Sequence, residues 1–403
     1  MWMNIQQKYI SDIENAIQHS DFSLVTRRLM DLGEEFEIEA ETRKDVLDLR
    51  KAFLEGVVEN DQLNFDRDFP SKASRLLDQL KQVKFTDKEI ADTLKEFVLK
   101  AEGISKVFSK GRNRFTLKPL NVYLRSGEIT GVVGENGNGK TTLLRILAGE
   151  LSADTGTLDY PALQGLKKDW YGIKNKLAFI PQRIDKWHGT LLENLKFHAT
   201  IHDIKGKANE KQIDYILFRL GLDKFRDLKW TEISSGYRLR FELAKMLLWK
   251  PKLLLLDEPL ANLDINAQQL FLQDLRFFTQ SASHPMAVIL TSQNLHEIEK
   301  VADNIIFIRQ GETLYNGQRG DFALNRQHNT FEISGKFDLD QLTICFAGKT
   351  DYKIENAGTS FIIHTGTDST LYTLTKLLEQ KEVELNYIRD ISQSTRKLFH
   401  KDI

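Results

Sequence analysis

A glycine-rich loop between an apolar strand and a helix carries the clearest chemistry in the sequence. The loop spans residues 134–142, follows the apolar residues 129–133 and precedes a helical pattern at 143–147. Its GxxxxGK[ST] spacing lets the backbone wrap around phosphate while successive amides and the helix N-terminus point at the anion. Lys140 would reach the terminal phosphates and the Thr141 hydroxyl would bind Mg²⁺. The segment therefore predicts a nucleoside triphosphate site.

Two carboxylates follow the most apolar run of the chain. Residues 253–256 are all leucine, and Asp257, Glu258 and Pro259 come next. Such a run predicts a strand buried on both faces of a parallel sheet, where ligands bind beyond the carboxyl ends of the strands. Carboxylates are costly there unless they hold a cation or do chemistry. We expect Asp257 to hold Mg²⁺ through water and Glu258 to polarise an attacking water.

Composition limits the remaining function classes. The 403 residues are 41% apolar and 28% charged, which indicates a globular, soluble chain of two or three domains. A net charge of −1 gives no general attraction to nucleic acid, so no nucleic-acid partner is indicated. The single cysteine, Cys345, lies in an apolar stretch and is expected to be a buried apolar group. Neither a signal sequence nor roughly 18 continuous apolar residues are seen, which predicts a cytoplasmic chain without direct membrane insertion.

The hydrophobic pattern divides the chain into three parts. Residues 1–100 show helical periodicity, including a capping box at 86–89, and predict a helical accessory domain of four or five helices. This domain is either an adaptor or dimerisation module or a packed bundle without a ligand. Residues 101–325 alternate strands and helices, which indicates an α/β sheet, and residues 326–403 form a small α+β domain. The strands predicted are 121–124, 129–133, 176–180, 253–256, 288–291, 304–308, 312–315, 330–333, 352–356, 360–364 and 384–388, with a helix at 372–379.

The central part resembles the nucleotide-binding domain of the ATP-binding cassette (ABC) superfamily. The matching features follow the family's order over about half of the chain. Phe108 stands upstream, where the family stacks adenine, and Gln182 follows the P-loop. Thr-Leu-Leu-Glu-Asn-Leu at 190–195 opens a helical subdomain, Ile-Ser-Ser-Gly-Tyr at 233–237 occupies the signature position, and Ala-Asn-Leu-Asp at 261–264 follows the carboxylates.

The resemblance implies a P-loop cassette with a parallel-sheet core, an antiparallel subdomain and a helical subdomain. It also implies that two cassettes pair head to tail and trap Mg²⁺ and ATP between one P-loop and the partner's signature; the simplest partner is a second copy of this chain. The expected catalytic residues are Glu258, Gln293 and Gln182, and the expected metal-site residues are Thr141, Gln182 and Asp257. The expected nucleotide-binding residues are Phe108, Gly134, Asn136, Gly137, Gly139, Lys140, Thr141, Thr142, Ser234, Gly236 and Asp264.

The sequence departs from the family's pattern at two motifs. Ser235 and Tyr237 replace a glycine and a glutamine of the usual signature, which adds a Cβ where close approach matters and a ring in place of an amide. Gln293 stands where the family places a histidine. Glutamine can hydrogen-bond a phosphate but cannot carry charge, so we expect slow ATP hydrolysis.

Two classes of function remain. The first is the ATPase subunit of an export-type ABC transporter, which works through a membrane-spanning permease at the inner face of the membrane. A C-terminal segment at 389–399 resembles those of export-type ATPases. The second is a soluble ATP-dependent switch or scaffold that acts through the N-terminal helices. Trp187 and His188 either face the permease from an exposed loop or pack the helical subdomain, whereas His198 and His202 are expected to lie on a helix face rather than bind zinc.

Overall fold

The computed structural model describes residues 5–36, 38–56, 68–82, 96–109, 114–163, 170–281, 283–321, 329–346 and 351–391. The predicted capping box at 86–89 and the C-terminal segment after Ile391 lie outside these ranges. Within them, no helix combines the length and the apolar composition that crossing a bilayer requires.

Four helices form what we call the N-terminal module: α1 (Ile5–Gln18), α2 (Phe22–Glu35), α3 (Ala40–Gly56) and α4 (Phe69–Lys81). The α2 helix begins after Asp21, whose carboxylate accepts the Leu24 amide at 3.0 Å. It packs against the other three helices. Apolar side chains at helical spacing form a shared core, including the fully buried Ile13, Leu29 and Leu80. Burial of these stripes is what makes such short helices stable.

The centre of the molecule is a six-stranded sheet of order β5-β6-β7-β3-β8-β9. Its strands are β3 (Ile129–Val133), β5 (Leu177–Ile180), β6 (Leu253–Leu256), β7 (Ala287–Ser292), β8 (Asn304–Arg309) and β9 (Glu312–Gln318). All pairings are parallel except that of β9 with β8. Every residue of β3, β6 and β7 is buried, as continuous apolar runs predict for central parallel strands. The predicted α/β sheet is confirmed.

A separate antiparallel sheet of order β2-β1-β4 covers one side of the P-loop. It comprises β1 (Phe97–Phe108), β2 (Phe115–Arg125) and β4 (Thr155–Asp159). The sequence identified only residues 121–124 of β2 and missed β1 and β4. Burial alternates along most of β2, and polar residues facing solvent weaken the apolar signal that marked the central strands.

The helices of the central part lie around these sheets. α5 (Lys140–Leu147) follows the P-loop, and α6 (Trp170–Lys174) precedes β5. α7 (Leu191–Ile201), α8 (Gly206–Leu220) and α9 (Ser235–Leu247) share an apolar core and form the predicted helical subdomain. Thr190 and Glu193 make a reciprocal capping box at the start of α7. α10 (Ile265–Thr279) and α11 (Leu295–Glu299) complete the sheet's helical cover.

The C-terminal part has a four-stranded antiparallel sheet of order β11-β12-β10-β13. Its elements are β10 (Asn329–Gly335), α12 (Leu339–Cys345), β11 (Tyr352–Asn356), β12 (Phe361–Thr365), α13 (Leu371–Gln380) and β13 (Leu385–Asp390). The sequence predicted the strands and α13 but missed α12. Cys345 ends α12, is a free thiol and is 6% exposed, which confirms its expected place in an apolar core.

Candidate functional site

The P-loop connects β3 to α5 and depends on its glycines. Gly137 and Gly139 adopt φ values of 80° and 99°, in the left-handed region that L side chains rarely occupy. A Cβ on Gly139 would lie 2.7 Å from the Phe115 ring, and one on Gly134 would lie 2.3 Å from the Ile308 carbonyl oxygen. Replacing these glycines with other residues would therefore strain the loop, which also packs tightly against β2 and β8. Asn138 fixes it further, since its Oδ1 accepts the Gln310 amide at 2.9 Å.

Lys140 begins α5 and points back over the loop. Its Nζ donates to the carbonyl of Gly134 at 2.7 Å and to that of Glu135 at 3.1 Å, and it lies 3.0 Å from Oε1 of Glu258. Lys140 is only 4% exposed, so these oxygens, rather than water, stabilise its positive charge. The ammonium is held at the mouth of an amide-rich loop, where an anion can contact both.

The expected metal site is a pair of hard oxygen donors. The Thr141 hydroxyl donates to Oδ2 of Asp257 at 2.8 Å, which brings the ends of α5 and β6 together. Thr291, at the end of β7, donates to Oδ1 of Asp257 at 2.8 Å and accepts the Glu258 amide at 2.8 Å. An adjacent hydroxyl and carboxylate fit Mg²⁺, which takes one or two protein oxygens and fills its remaining positions with phosphate and water. Sequence reasoning missed Thr291, although it ends a predicted strand.

Glu258 is the point at which the expected catalytic residues meet. Gln182 and Gln293 both donate to its Oε2, at 2.8 and 2.9 Å, while Lys140 contacts the other oxygen. Its backbone φ of 47° is unusual for a non-glycine residue and turns the chain sharply after β6. Glu258 is 9% exposed. Residues from three separate segments therefore converge on one buried carboxylate.

The signature segment begins α9. Ser234 caps this helix by accepting the Tyr237 amide at 3.5 Å, and the added hydroxyl of Ser235 donates to the Asn262 carbonyl at 3.1 Å. A cavity of about 170 Å³ joins Ser235 and Asn262 to Gln182 and Glu258 within the same protomer. The signature edge and the carboxylate site are thus linked by one small cavity.

Comparison with known proteins identifies the family to which this site belongs. A family model described as ABC transporter matches residues 117–261. A probable sulfate/thiosulfate import ATP-binding protein CysA of Chlorella vulgaris is 30% identical over 234 residues, which cover 57% of this chain and 94% of that protein. This chain belongs to the ABC transporter family of ATP-binding proteins.

Other comparisons show how much of the chain, and of each similar protein, the likeness covers. The probable multidrug ABC transporter ATP-binding protein YbhF of Escherichia coli is 30% identical over 227 residues, which cover 56% of this chain but 38% of that protein. The chain therefore spans less than two fifths of YbhF. The solved structure of cbiO1 from Clostridium perfringens has a TM-score of 0.50 at 24% identity and covers 57% of this chain and 91% of that one. That likeness supports the cassette fold alone.

The remaining predicted site residues of the cassette lie at its surface. Phe108 is 39% exposed, with its ring centroid 6.4 Å from that of Phe115, the ring beside Gly139. Asp264 is exposed and caps α10 by accepting the Ala267 amide at 2.9 Å. The other residues of the set are exposed or half-buried at the P-loop and the signature: Asn136, Thr142, Ser234 and Gly236. Their roles toward nucleotide stay predictions.

Trp187 and His188, which follow Gln182, were expected either to lie in an exposed loop or to pack the helical subdomain, and the two residues differ in outcome. Trp187 is 7% exposed, stacks on Trp230 at a centroid distance of 4.8 Å and donates to Glu242 at 2.5 Å. It packs the helical subdomain of the cassette, and the exposed-loop alternative is wrong for this residue because its indole is buried and hydrogen-bonded. His188 is exposed. His202 stacks on Trp249 at 4.0 Å, and no cluster of metal-binding side chains exists within the described ranges.

Proposed function

We propose that this chain binds and slowly hydrolyses ATP with Mg²⁺ as the motor subunit of an ABC transporter. The observation that carries the proposal is the buried Glu258 carboxylate, which is held between Lys140 and the amides of Gln182 and Gln293. A carboxylate in this position can accept the proton of a water that attacks the γ-phosphorus. The bond from that phosphorus to the leaving ADP oxygen then breaks.

The chain's own groups account for most of this chemistry. The P-loop amides and Lys140 bind the phosphates, and Lys140 exchanges its contact with Glu258 for phosphate oxygens. That exchange frees Glu258 to act on water. Gln293 and Gln182 keep the carboxylate oriented, and Mg²⁺ bound at Thr141 and Asp257 would neutralise charge on the phosphates. Because Gln293 is neutral, it contributes less than a charged group would, and the expected hydrolysis is slow.

A second copy of the chain would complete the site. Ser234 and Gly236 lie at the N-terminus of α9, where unpaired amides and the helix dipole favour an anion. Ser234 and Asp264 are exposed, so they can meet a partner's nucleotide. A closed two-fold arrangement uses the same surface twice and leaves neither signature unmatched.

The transport assignment rests on relatives that are named as ATP-binding proteins of transporters. One is named for multidrug transport and another for sulfate/thiosulfate import, so they do not agree on a cargo. We propose a separate permease as partner, with the chain at the inner face of the membrane. The exposed Phe197 and Ile201, one turn apart on α7, offer an apolar contact on the helical subdomain.

A soluble switch is the second candidate. It is favoured by the N-terminal module, whose Arg27 and Asp31 form buried ion pairs with Asp274 and Arg219 of the cassette. A module held so firmly can report the state of the cassette to a soluble partner. Purification in mild detergent separates the two candidates: a polytopic membrane protein that stays bound supports transport, and a wholly soluble complex supports the switch.

ATP binding and turnover test the enzyme assignment directly. Lys140→Ala is expected to weaken Mg-ATP binding at least about tenfold, because the charge on the phosphates loses its main partner. Glu258→Gln should retain binding, lose turnover and elute as a dimer with Mg-ATP in size-exclusion chromatography. Turnover in the wild type equal to that of Glu258→Gln would contradict hydrolysis. Unchanged affinity in Lys140→Ala would contradict the site itself.

A further inference from the structure

A cleft separates the N-terminal module from the helical subdomain. Its volume is about 730 Å³, within the range of small-molecule sites of roughly 300–1,000 Å³. Residues of α2 and α3 form one wall, and residues of α8, α9 and α10 form the other. We call it the module cleft. None of the nucleotide-binding residues assigned above lines it, although Tyr237 of the signature does.

Positive charge exceeds negative charge in the module cleft. Two of its three carboxylates are engaged elsewhere: Asp223 pairs with Arg226 at 2.8 Å, and Asp21 caps α2. Arg27 is balanced by Asp274 at 2.8 Å. Lys51 lies 3.9 Å from Asp48. The excess therefore falls on the other cationic residues of the lining: Arg50, Lys224 and Arg240.

Two guanidinium groups in the cleft have only neutral acceptors. Arg50 is 3% exposed and donates to the Phe218 carbonyl at 2.9 Å and to the Thr26 hydroxyl at 3.0 Å. Arg240 donates to the Leu220 carbonyl at 2.6 Å. Neither forms an ion pair with a carboxylate of the described ranges. Burial lowers the pKa of Arg50 to about 9 and also lowers that of Arg240, which expresses the cost of burying these charges.

Aromatic rings line the same cleft beside the cations. Arg50 lies 5.3 Å from the centroid of the Phe53 ring, and the Lys51 ammonium lies 5.1 Å from that of Phe218. Phe22 and Tyr237 add two more rings. Rings and guanidinium planes together can stack a flat aromatic group while charged donors hold an attached anion.

We infer that the module cleft binds a phosphorylated small molecule with an aromatic ring, of mononucleotide size. Arg50 and Arg240 hold the phosphate through charge-assisted hydrogen bonds, and the phosphate offsets their buried charge. Because Arg240 and Tyr237 are on α9, the bound molecule contacts the helix whose first turn carries the signature.

Calorimetric titration of the full chain carrying Lys140→Ala tests this site with the P-loop lysine removed. Adenosine 5′-monophosphate is expected to bind once per chain, and inorganic phosphate to bind about tenfold more weakly because it lacks the ring. Adding Arg240→Gln should weaken binding of the monophosphate at least about tenfold. Arg276→Gln is the matched control, since Arg276 pairs with Asp303 and neither residue lines the cleft.

Three results would overturn the inference. They are no saturable binding of either probe, equal losses in Arg240→Gln and Arg276→Gln, and phosphate binding as tight as that of the monophosphate. If Arg240→Gln lowers the melting temperature, Lys51→Gln with Lys224→Gln replaces it, because Lys224 is exposed and Lys51 only half-buried. That double variant should weaken monophosphate binding severalfold, and unchanged binding would also overturn the site. The assay needs no ATP turnover, so its failure leaves the proposed ATPase intact.

Discussion

At the residue scale, Glu258 is held by the groups that the phosphates would later engage. Lys140 contacts one of its oxygens, and Gln182 and Gln293 contact the other. A buried carboxylate needs such partners, and the nearest available cation is the P-loop lysine. Nucleotide entry therefore competes with an internal ion pair. The proposed site becomes active when phosphate draws Lys140 away from Glu258.

Replacement of Gln293 by histidine tests the cause of the expected slow turnover. Gln293 donates to Oε2 of Glu258 at 2.9 Å, so a side chain at this position would lie beside the proposed attacking water. Gln293→His introduces a group that can carry charge and should raise kcat at least about tenfold. Steady-state ATPase rates across pH 6–8 provide the measurement. Unchanged kcat with unchanged ATP affinity would show that Gln293 does not limit the reaction.

The added hydroxyl of the signature allows a second test at this scale. Ser235 donates to the Asn262 carbonyl at 3.1 Å, a contact that the family's glycine cannot make. We expect Ser235→Gly to cost about 1 kcal/mol of stability through the lost hydrogen bond while raising turnover by permitting closer approach of two cassettes. Chemical unfolding and ATPase rates are measured on one preparation. Ser235→Ala is the control, because it removes the hydroxyl but keeps the Cβ; a rise in turnover in both variants would exclude close approach as the cause.

The candidate site could be anticipated from sequence because its residues lie in short contiguous motifs. The P-loop, the carboxylates after β6 and Gln293 after β7 follow apolar strands, and parallel strands bring their carboxyl ends to one edge. Trp187 could not be assigned in the same way. Its burial depends on Trp230 and Glu242, which are distant in sequence and meet it only through packing of the helical subdomain.

At the element scale, three helices meet at a buried ionic junction. Asp274 of α10 lies 2.8 Å from Arg27 of α2 and 2.8 Å from Arg219 of α8. Arg219 also lies 2.5 Å from Asp31 of α2. All four side chains are almost completely buried. The junction thus ties the N-terminal module to both the helical subdomain and the sheet's helical cover.

Breaking this junction should lower the free energy of unfolding much more than breaking a surface ion pair does. Asp274→Asn leaves the buried Arg27 without a carboxylate and Arg219 with Asp31 alone. We expect a loss of about 3–5 kcal/mol in the free energy of unfolding. Asp214→Asn, which removes one surface partner of Arg226, should cost less than about 1 kcal/mol. Urea unfolding at neutral pH compares the two variants. Equal losses would contradict the claim that burial makes the junction essential.

At the scale of the whole molecule, the sequence predicted the central sheet well and the assembly of its parts poorly. Strands β3, β6 and β7 are mostly apolar and buried throughout, so composition alone marked them. In the junction, Asp274 is 247 residues from Arg27 and 55 residues from Arg219 in the sequence. Each of these residues lies on a helix whose hydrophobic pattern shows only which face is polar. No local spacing relates such residues. The contacts that hold the module to the cassette therefore had to come from the structure.

The junction also predicts how the whole molecule responds to acid. Burial alone would raise the pKa of Asp274, but the charges of Arg219 and Arg27 outweigh it and hold the pKa at about 2, below the ordinary 3.8. A depressed pKa contributes stability that is present above about pH 4 and is lost as pH falls toward about 2. The shift in the pKa of Asp274 corresponds to about 2 kcal/mol of folding stability, which is the amount lost when the carboxylate is fully protonated. We therefore expect the stability gap between wild type and Asp274→Asn to narrow over this window in urea unfolding at successive pH values. A gap that remains constant for Asp274→Asn would mean that Asp274 is not the carboxylate through which acid loosens the module.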